Sequence, residues 1–258
     1  MKGANGAETY GKRLQIAPER LKVCTAGLPG FAFLTEIRDG KSDMMPKLKK
    51  AAEKNELGSL AARWLGWWDA IPAGDVTDHA EFLPAQPDFI PEEKPEFGES
   101  VEKRKERILY MNTVREQGAE AQEGAMAQLL LLSKAPPIRP MKLALALVRG
   151  ETTEIPAVAR RNGQNMPQLP ETAVTETVLT LRNGEEIPGQ IRVPEALAEV
   201  LREIDMTNRL AAKAAEGDMS ALRECVETDP ALDGLDRLYC MDVVKALMTL
   251  HEDMLGED

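Results

Sequence analysis

The chain has 258 residues, 43% of them hydrophobic, with 32 Lys and Arg against 43 Asp and Glu for a net charge of −11. Such a field repels phosphate backbones and anionic membrane surfaces, so nucleic acid and membrane are not expected partners. No apolar run approaches the length of about 20 residues needed to span a bilayer, and no apolar segment of the signal-peptide kind opens the chain. The three cysteines, Cys24, Cys225 and Cys240, are widely spaced and lack a CxxC pattern, which suits reduced thiols in a cytoplasmic location rather than a disulfide framework or a zinc site.

Residues 1–17 read as a polar N-terminal extension, and 18–258 as the main domain. The run RLKVCTAGLPGFAFLTEI at 20–37 is rich in β-branched and aromatic residues, broken by Gly27, Pro29 and Gly30, and predicts one strand interrupted by a turn. Apolar residues recur at three- and four-residue steps over 43–68, predicting amphipathic helix with a break at Gly58. Four prolines at 83–97 remove backbone donors and force a loop or edge segment. A long helix is expected at 99–133, its second half apolar enough for core, and PPIRP at 136–140 ends it. MKLALALVRG then predicts a short helix closed by Gly150.

Strand-like segments at 151–159 and 173–181 flank the turn-rich RRNGQNMPQLP, and RNGEE at 182–186 is a tight-turn signal. From 194 to 250 three helices are predicted, the first with Pro194 in its first turn and Gly217 at its close, the second stopped by Pro230. The expected class is α+β, helix-rich, with a small mixed or antiparallel sheet.

Over the last third, EIPAVARRNGQNMPQLPETAVTET followed by GQIRVPEALAEVLREIDMTNRLAAKAAEGDMSALRECVETDP resembles the C-terminal domain of glycoside hydrolase family 4, the NAD- and manganese-dependent α-galactosidases, 6-phospho-glycosidases and α-galacturonidases. The marks are an Asn-rich turn and Leu-Pro pair at 162–170 before a strand, Pro194 to Leu197 opening a helix, and Ala214, Gly217, Asp218, Ala221, Asp229 and Pro230 in a helix pair. AGLPGFAFLTEIRDGKSDMMPKLKKA and GDVTDHAEFLP extend the resemblance upstream, to about residue 18. It implies a fold like the lactate/malate dehydrogenase C-terminal domain, and an enzyme that draws on NAD and manganese to oxidise, eliminate and rehydrate a glycoside.

Against that pattern, Pro29 and Gly30 occupy the positions where the family carries an Asn-His pair, so Gly30 stands in place of the metal-ligating His. Trp67 and Trp68 stand where the family's base Tyr is expected. The family's Gly-rich nucleotide-binding unit has no match, and the chain reads as the second half of such an enzyme, with an N-terminal Rossmann domain expected to be absent. The implied function is a substrate-binding and oligomerisation domain with no activity or cofactor alone. The alternatives are a subunit completed by an NAD-binding partner chain and a shortened gene product.

Candidate residues follow. His79, with Asp75, Asp78 and Glu81, forms an imidazole-carboxylate group that suits metal or substrate, His79 and Asp78 being the metal candidates, or else a solvated acidic loop. Trp64, Trp67 and Trp68 form a helical aromatic face, for core or for a sugar ring. Arg160, Arg161, Asn162 and Asn165 lie on the polar turn that, by resemblance, approaches a glycoside or uronide ligand and a partner subunit; a structural Asn turn is the other reading. Cys225 and Cys240 read as packing residues and His251 as a helix-end cation. A homo-oligomer is expected.

Overall fold

The computed structural model describes residues 6–73, 79, 82–84, 86–90, 140–187 and 189–250. The helix expected at 99–133, with Tyr110, and the residues Asp75, Asp78, Glu81 and His251 lie outside the described residues.

The strand expected to be interrupted is a hairpin. β1 (Leu21–Leu28) and β2 (Phe31–Asp39) pair antiparallel from Leu21↔Asp39 to Leu28↔Phe31. Pro29 and Gly30 supply the two-residue connection: Pro pre-sets φ at the first corner, and Gly30 takes a φ of +86° at the second, where a Cβ would be strained. β3 (Ser42–Asp43) folds back onto the end of β2. β4 (Thr153–Arg161) and β5 (Val174–Arg182) form a second antiparallel pair, and Asn183–Gly184, both at positive φ, turn β5 into β6 (Glu185–Glu186) as a type I′ sequence demands. Ala26↔Thr177 and Gly27↔Glu176 join the hairpins into one sheet of order β3-β2-β1-β5-β4, with β6 beside β5, and every pairing is antiparallel. β4 lies at an edge and is bulged: Ile155↔Leu179 is followed by Val158↔Thr177, the extra residue falling at Pro156 and Ala157, whose φ is +53°.

Helix α2 (Met45–Glu53) and helix α3 (Ser59–Trp68) split at the expected Gly58. α4 (Pro140–Val148) ends as Gly150 N–H donates to Leu147 O and Glu151 N–H to Ala146 O, the paired bonds of a Schellman close. α5 (Glu195–Ala215) buries Leu197, Ala198, Leu201, Ile204 and Leu210 at helical spacing; Pro194 stands just outside it, as N-cap rather than in the first turn. α6 (Met219–Thr228) is capped by the Asp218 carboxylate, which accepts from Ser220 N and Ala221 N. A last helix, α7 (Arg237–Leu250), has no buried residue. Among the described residues no helix is long and apolar enough to cross a membrane.

Two apolar clusters hold these elements. The larger joins the hairpin residues Ala26, Leu28, Phe31 and Phe33 to Leu60 and Trp64 of α3, Met166 of the β4–β5 connection, and Leu197 and Leu201 of α5. Each large side chain so buried contributes about 1.5–3 kcal/mol. The second gathers Leu21, Leu34, Ile37, Met44, Leu48 and Ile71 around Tyr10. Tyr10 belongs to α1 (Gly6–Leu14), so most of the polar extension is a docked amphipathic helix; its phenol donates to Pro72 O at 2.5 Å, and burial pushes that hydroxyl's pKa up.

Candidate functional site

Two places gather the candidate residues: the tip of the β1–β2 hairpin and the β4–β5 connection.

At the tip, Gly30 faces an aromatic ring. A Cβ built on it would lie 3.2 Å from Phe82 Cε2 and 3.3 Å from Cζ, a tight fit that requires the ring to give by a few tenths of an ångström. Beneath the tip lies His79, only 3% exposed, which corrects the expectation of a solvated loop. Its Nδ1 accepts the indole N–H of Trp64 at 3.0 Å, and its ring centroid is 4.5 Å from that of Phe31 and 5.0 Å from that of Phe33. The indole is a donor only, so Nδ1 must carry a lone pair there. Trp64 and Trp68 are buried with it, while Trp67 is 45% exposed and stands 5.4 Å from the Phe89 ring. The tryptophan face is thus mainly core.

These residues do not fit a manganese ion. Gly30 offers no donor, the Nδ1 of His79 is engaged by an indole, and among the described residues no three His, Cys, Asp or Glu side chains converge on one point.

The β4–β5 connection is built differently. Asn162 is fully buried, its carboxamide oxygen accepting Met166 N–H at 2.8 Å while its amide hydrogens reach the carbonyls of Met166, Leu169 and Pro170 at 2.9–3.1 Å. Its backbone N–H donates to Ala173 O at 2.7 Å. Every polar atom of its side chain is spent inside the loop, so Asn162 is the scaffold of a turn whose groove it also lines.

What it scaffolds is polar. Asn165 donates Nδ2–H to Asn162 O at 2.7 Å and accepts at Oδ1 from Arg160 at 3.0 Å; the Arg160 guanidinium also pairs with Glu186, which the Asn183–Gly184 turn brings back beside β4. Arg160, Arg161, Asn165, Gln164, Glu186 and Gln190 line an open groove of about 570 Å³. A second hollow of about 450 Å³ adjoins it through Arg160 and Asn165 and is walled by Cys24, Glu36, Arg38 and Thr177. Among the described residues, Arg160 Nε and the Thr177 hydroxyl are buried without a hydrogen-bond partner. Cys24 donates to Glu36 at 3.4 Å; burial, then that carboxylate, pushes its thiol up to about 12, which favours the protonated thiol near neutral pH. Arg160, Arg161 and Asn165 line this groove together, and His79 does not. Glu186 and Gln190 were missed; the NG turn that folds Glu186 back toward β4 was the available signal.

With this geometry described, comparison places the chain. The model of the family 4 glycosyl hydrolase C-terminal domain matches residues 25–232. Among solved structures, a 6-phospho-α-glucosidase from gut microorganisms, in complex with NAD and Mn²⁺, superposes with a TM-score of 0.70 at 17% identity, over 99% of this chain and 60% of that one. The lplD chain of Bacillus subtilis, assigned as a glucosidase, gives 0.69 at 18% identity over 95% and 60%. The 6-phospho-β-glucosidase of Thermotoga maritima, with NAD and glucose-6-phosphate, gives 0.65 at 16% identity over 96% and 58%. At such identities the likeness is one of fold, and the chain spans about 60% of the length of these relatives. No curated protein sequence matches it. Its helix-rich architecture around one antiparallel sheet, matched by the family model over most of its length, makes this chain a member of the family 4 glycosyl hydrolase C-terminal domain family.

Proposed function

We propose that this domain binds a glycoside or uronide in the Arg160–Asn165 groove and acts as a substrate-binding and assembly unit, without metal-dependent turnover of its own. The observation that carries the reading is the contrast at its two candidate positions: two guanidinium groups and several carboxamides line an open groove, while the hairpin tip presents Gly30 against the Phe82 ring. Sugars are held by planar polar side chains that reach hydroxyls in pairs, and a carboxylate on the ligand would match Arg fork geometry. The unpartnered Arg160 Nε and Thr177 hydroxyl support a ligand that brings its own acceptor and donor.

Arg160 is already engaged by Glu186 and Asn165, which holds its plane fixed before a ligand arrives. Three free thiols fit a reducing, cytoplasmic setting. Titrating the chain with methyl glycosides and free uronates, followed by NMR shifts of 160–165 and by melting temperature, tests the reading. A uronate should shift those resonances in the parent chain and leave Arg160→Ala unmoved; no shift at millimolar ligand, or nitrophenyl-glycoside cleavage by the chain alone with NAD and Mn²⁺, would overturn it.

A second reading, that a nucleotide-binding partner chain completes an active site in trans, draws on the NAD held by the 6-phospho-α-glucosidase that this chain resembles in fold. Glycoside cleavage appearing only on mixing with such a chain would select it.

A further inference from the structure

We infer that Glu186 is an internal competitor for acidic ligands at Arg160: its carboxylate holds the groove-facing edge of the guanidinium until the carboxylate of a sugar acid takes its place. The inference rests on the reading of the groove as a sugar-binding site and names the residue that sets its selectivity among anions.

The Arg160 guanidinium is held from two sides by groups of unlike mobility. Asn165 Oδ1 accepts from Nη2 at 3.0 Å, and Asn165 is itself fixed by donating to Asn162 O at 2.7 Å within the turn. That contact sets the plane. On the Nη1 side stands the Glu186 carboxylate, which lines the groove but not the adjoining hollow, so a ligand in the groove meets Arg160 at the edge that Glu186 covers. The backbone of Glu186 is anchored, by its pairing with Leu181 between β5 and β6 and by the Ile187 N–H bond to Thr180 O at 2.9 Å. Its side chain is not: 44% exposed against 19% for Arg160, it can turn into solvent by a change of rotamer with no strand displaced.

A part-exposed ion pair favours its closed form only several-fold, so exchange is within reach of a ligand that offers a carboxylate together with other contacts. Two carboxylates cannot share that edge, because like charges so close repel; the exchange is one for one. Selectivity follows from the tether. A carboxylate carried on the same sheet acts at an effective concentration in the millimolar range. A simple carboxylate must displace it by charge alone, whereas a sugar acid adds hydrogen bonds from its hydroxyls to the carboxamides of Gln164 and Gln190. Arg161, exposed in the same groove and without an ion pair among the described residues, attracts both anions and does not tell them apart. Glu186 therefore screens out small anions, and it lowers the affinity of every acidic ligand by the fraction of time it occupies Arg160.

The test compares the full chain with Glu186→Gln, which keeps an acceptor for Arg160 and removes the charge. Both are titrated with glucuronate, its methyl ester and acetate, read on the Arg160 Nε–H and the 160–165 amide resonances. Glu186→Gln should bind glucuronate about three- to tenfold more tightly than the parent, and the uncharged ester within about twofold of it. Glu186→Ala should reproduce the gain for acid over ester. At about 100 mM and matched ionic strength, acetate should move the Arg160 resonance in Glu186→Gln and leave it in place in the parent. No gain for the acid, or equal gains for acid and ester, overturns the inference, since a merely structural ion pair would act on both ligands alike. So does acetate that moves the parent as far as the variant. The groove reading fails separately: absence of any glucuronate shift from both chains sinks it, and the acetate response then still decides the role of Glu186.

Discussion

The space beneath the hairpin tip and the groove beside Arg160 are built on one sheet, yet they solve opposite problems. Under the tip, His79 is a polar group made to behave as core, its lone pair matched to an indole N–H and its faces packed on phenyl rings. In the groove, Asn162 uses a buried carboxamide to hold a loop open, so that Arg160 and Asn165 keep polar atoms at the surface. The difference teaches where ligand chemistry can reside: buried polar atoms close one region and display another.

The comparison breaks most forcefully at Trp64. Trp64→Ala should cost about 3–5 kcal/mol in urea unfolding, because it leaves a cavity and deprives His79 Nδ1 of its donor together. Asn162→Ala should cost about 2–3 kcal/mol, by leaving the Met166 N–H and several buried carbonyls unmatched, and should also abolish uronate binding, which Trp64→Ala at low temperature should not. Gly30→Ala sharpens the closed side: a left-handed φ and the Phe82 ring together should cost about 1–2 kcal/mol, and a double-mutant cycle with Phe82→Ala should recover the steric share. On the open side, Arg160→Ala should change stability by less than about 1 kcal/mol while removing ligand binding.

The smallest effect concerns Cys24. Its folded pKa, about 12, lies above that of an unfolded thiol, so its contribution to stability is present below the unfolded value and lost as pH rises toward 12. At pH 8 it should alkylate with iodoacetamide at least about a hundredfold more slowly than a free thiol, and Glu36→Gln should narrow that gap.

Helices such as α3 and α5 were legible because they bury a stripe at 3.6-residue spacing, and the split at Gly58 follows from local pattern. The hairpin was half legible. Pro29 and Gly30 marked a turn, but the pairing of β1 with β5 joins residues about 150 apart in sequence, a register that local pattern does not carry. That Arg160, Arg161 and Asn165 share one polar surface was legible from a polar turn in a matched region; that Asn162 faces inward was not, since exposed and buried asparagine look alike in sequence. The solvated-loop reading of His79 failed because its acidic neighbours in sequence suggested solvent, whereas Trp64, 15 residues earlier, donates to its ring in the core.

The irregularity in β4 carries a consequence for how copies of this chain can meet. With Pro156 lacking an amide hydrogen and Ala157 turned into the left-handed region, the outermost strand presents a broken ladder to any approaching backbone. Growth by adding strands, the route to fibrils, is thereby obstructed at that rim, and concentrated protein should stay clear of thioflavin-positive aggregate until Pro156 is replaced by a residue that restores the missing donor.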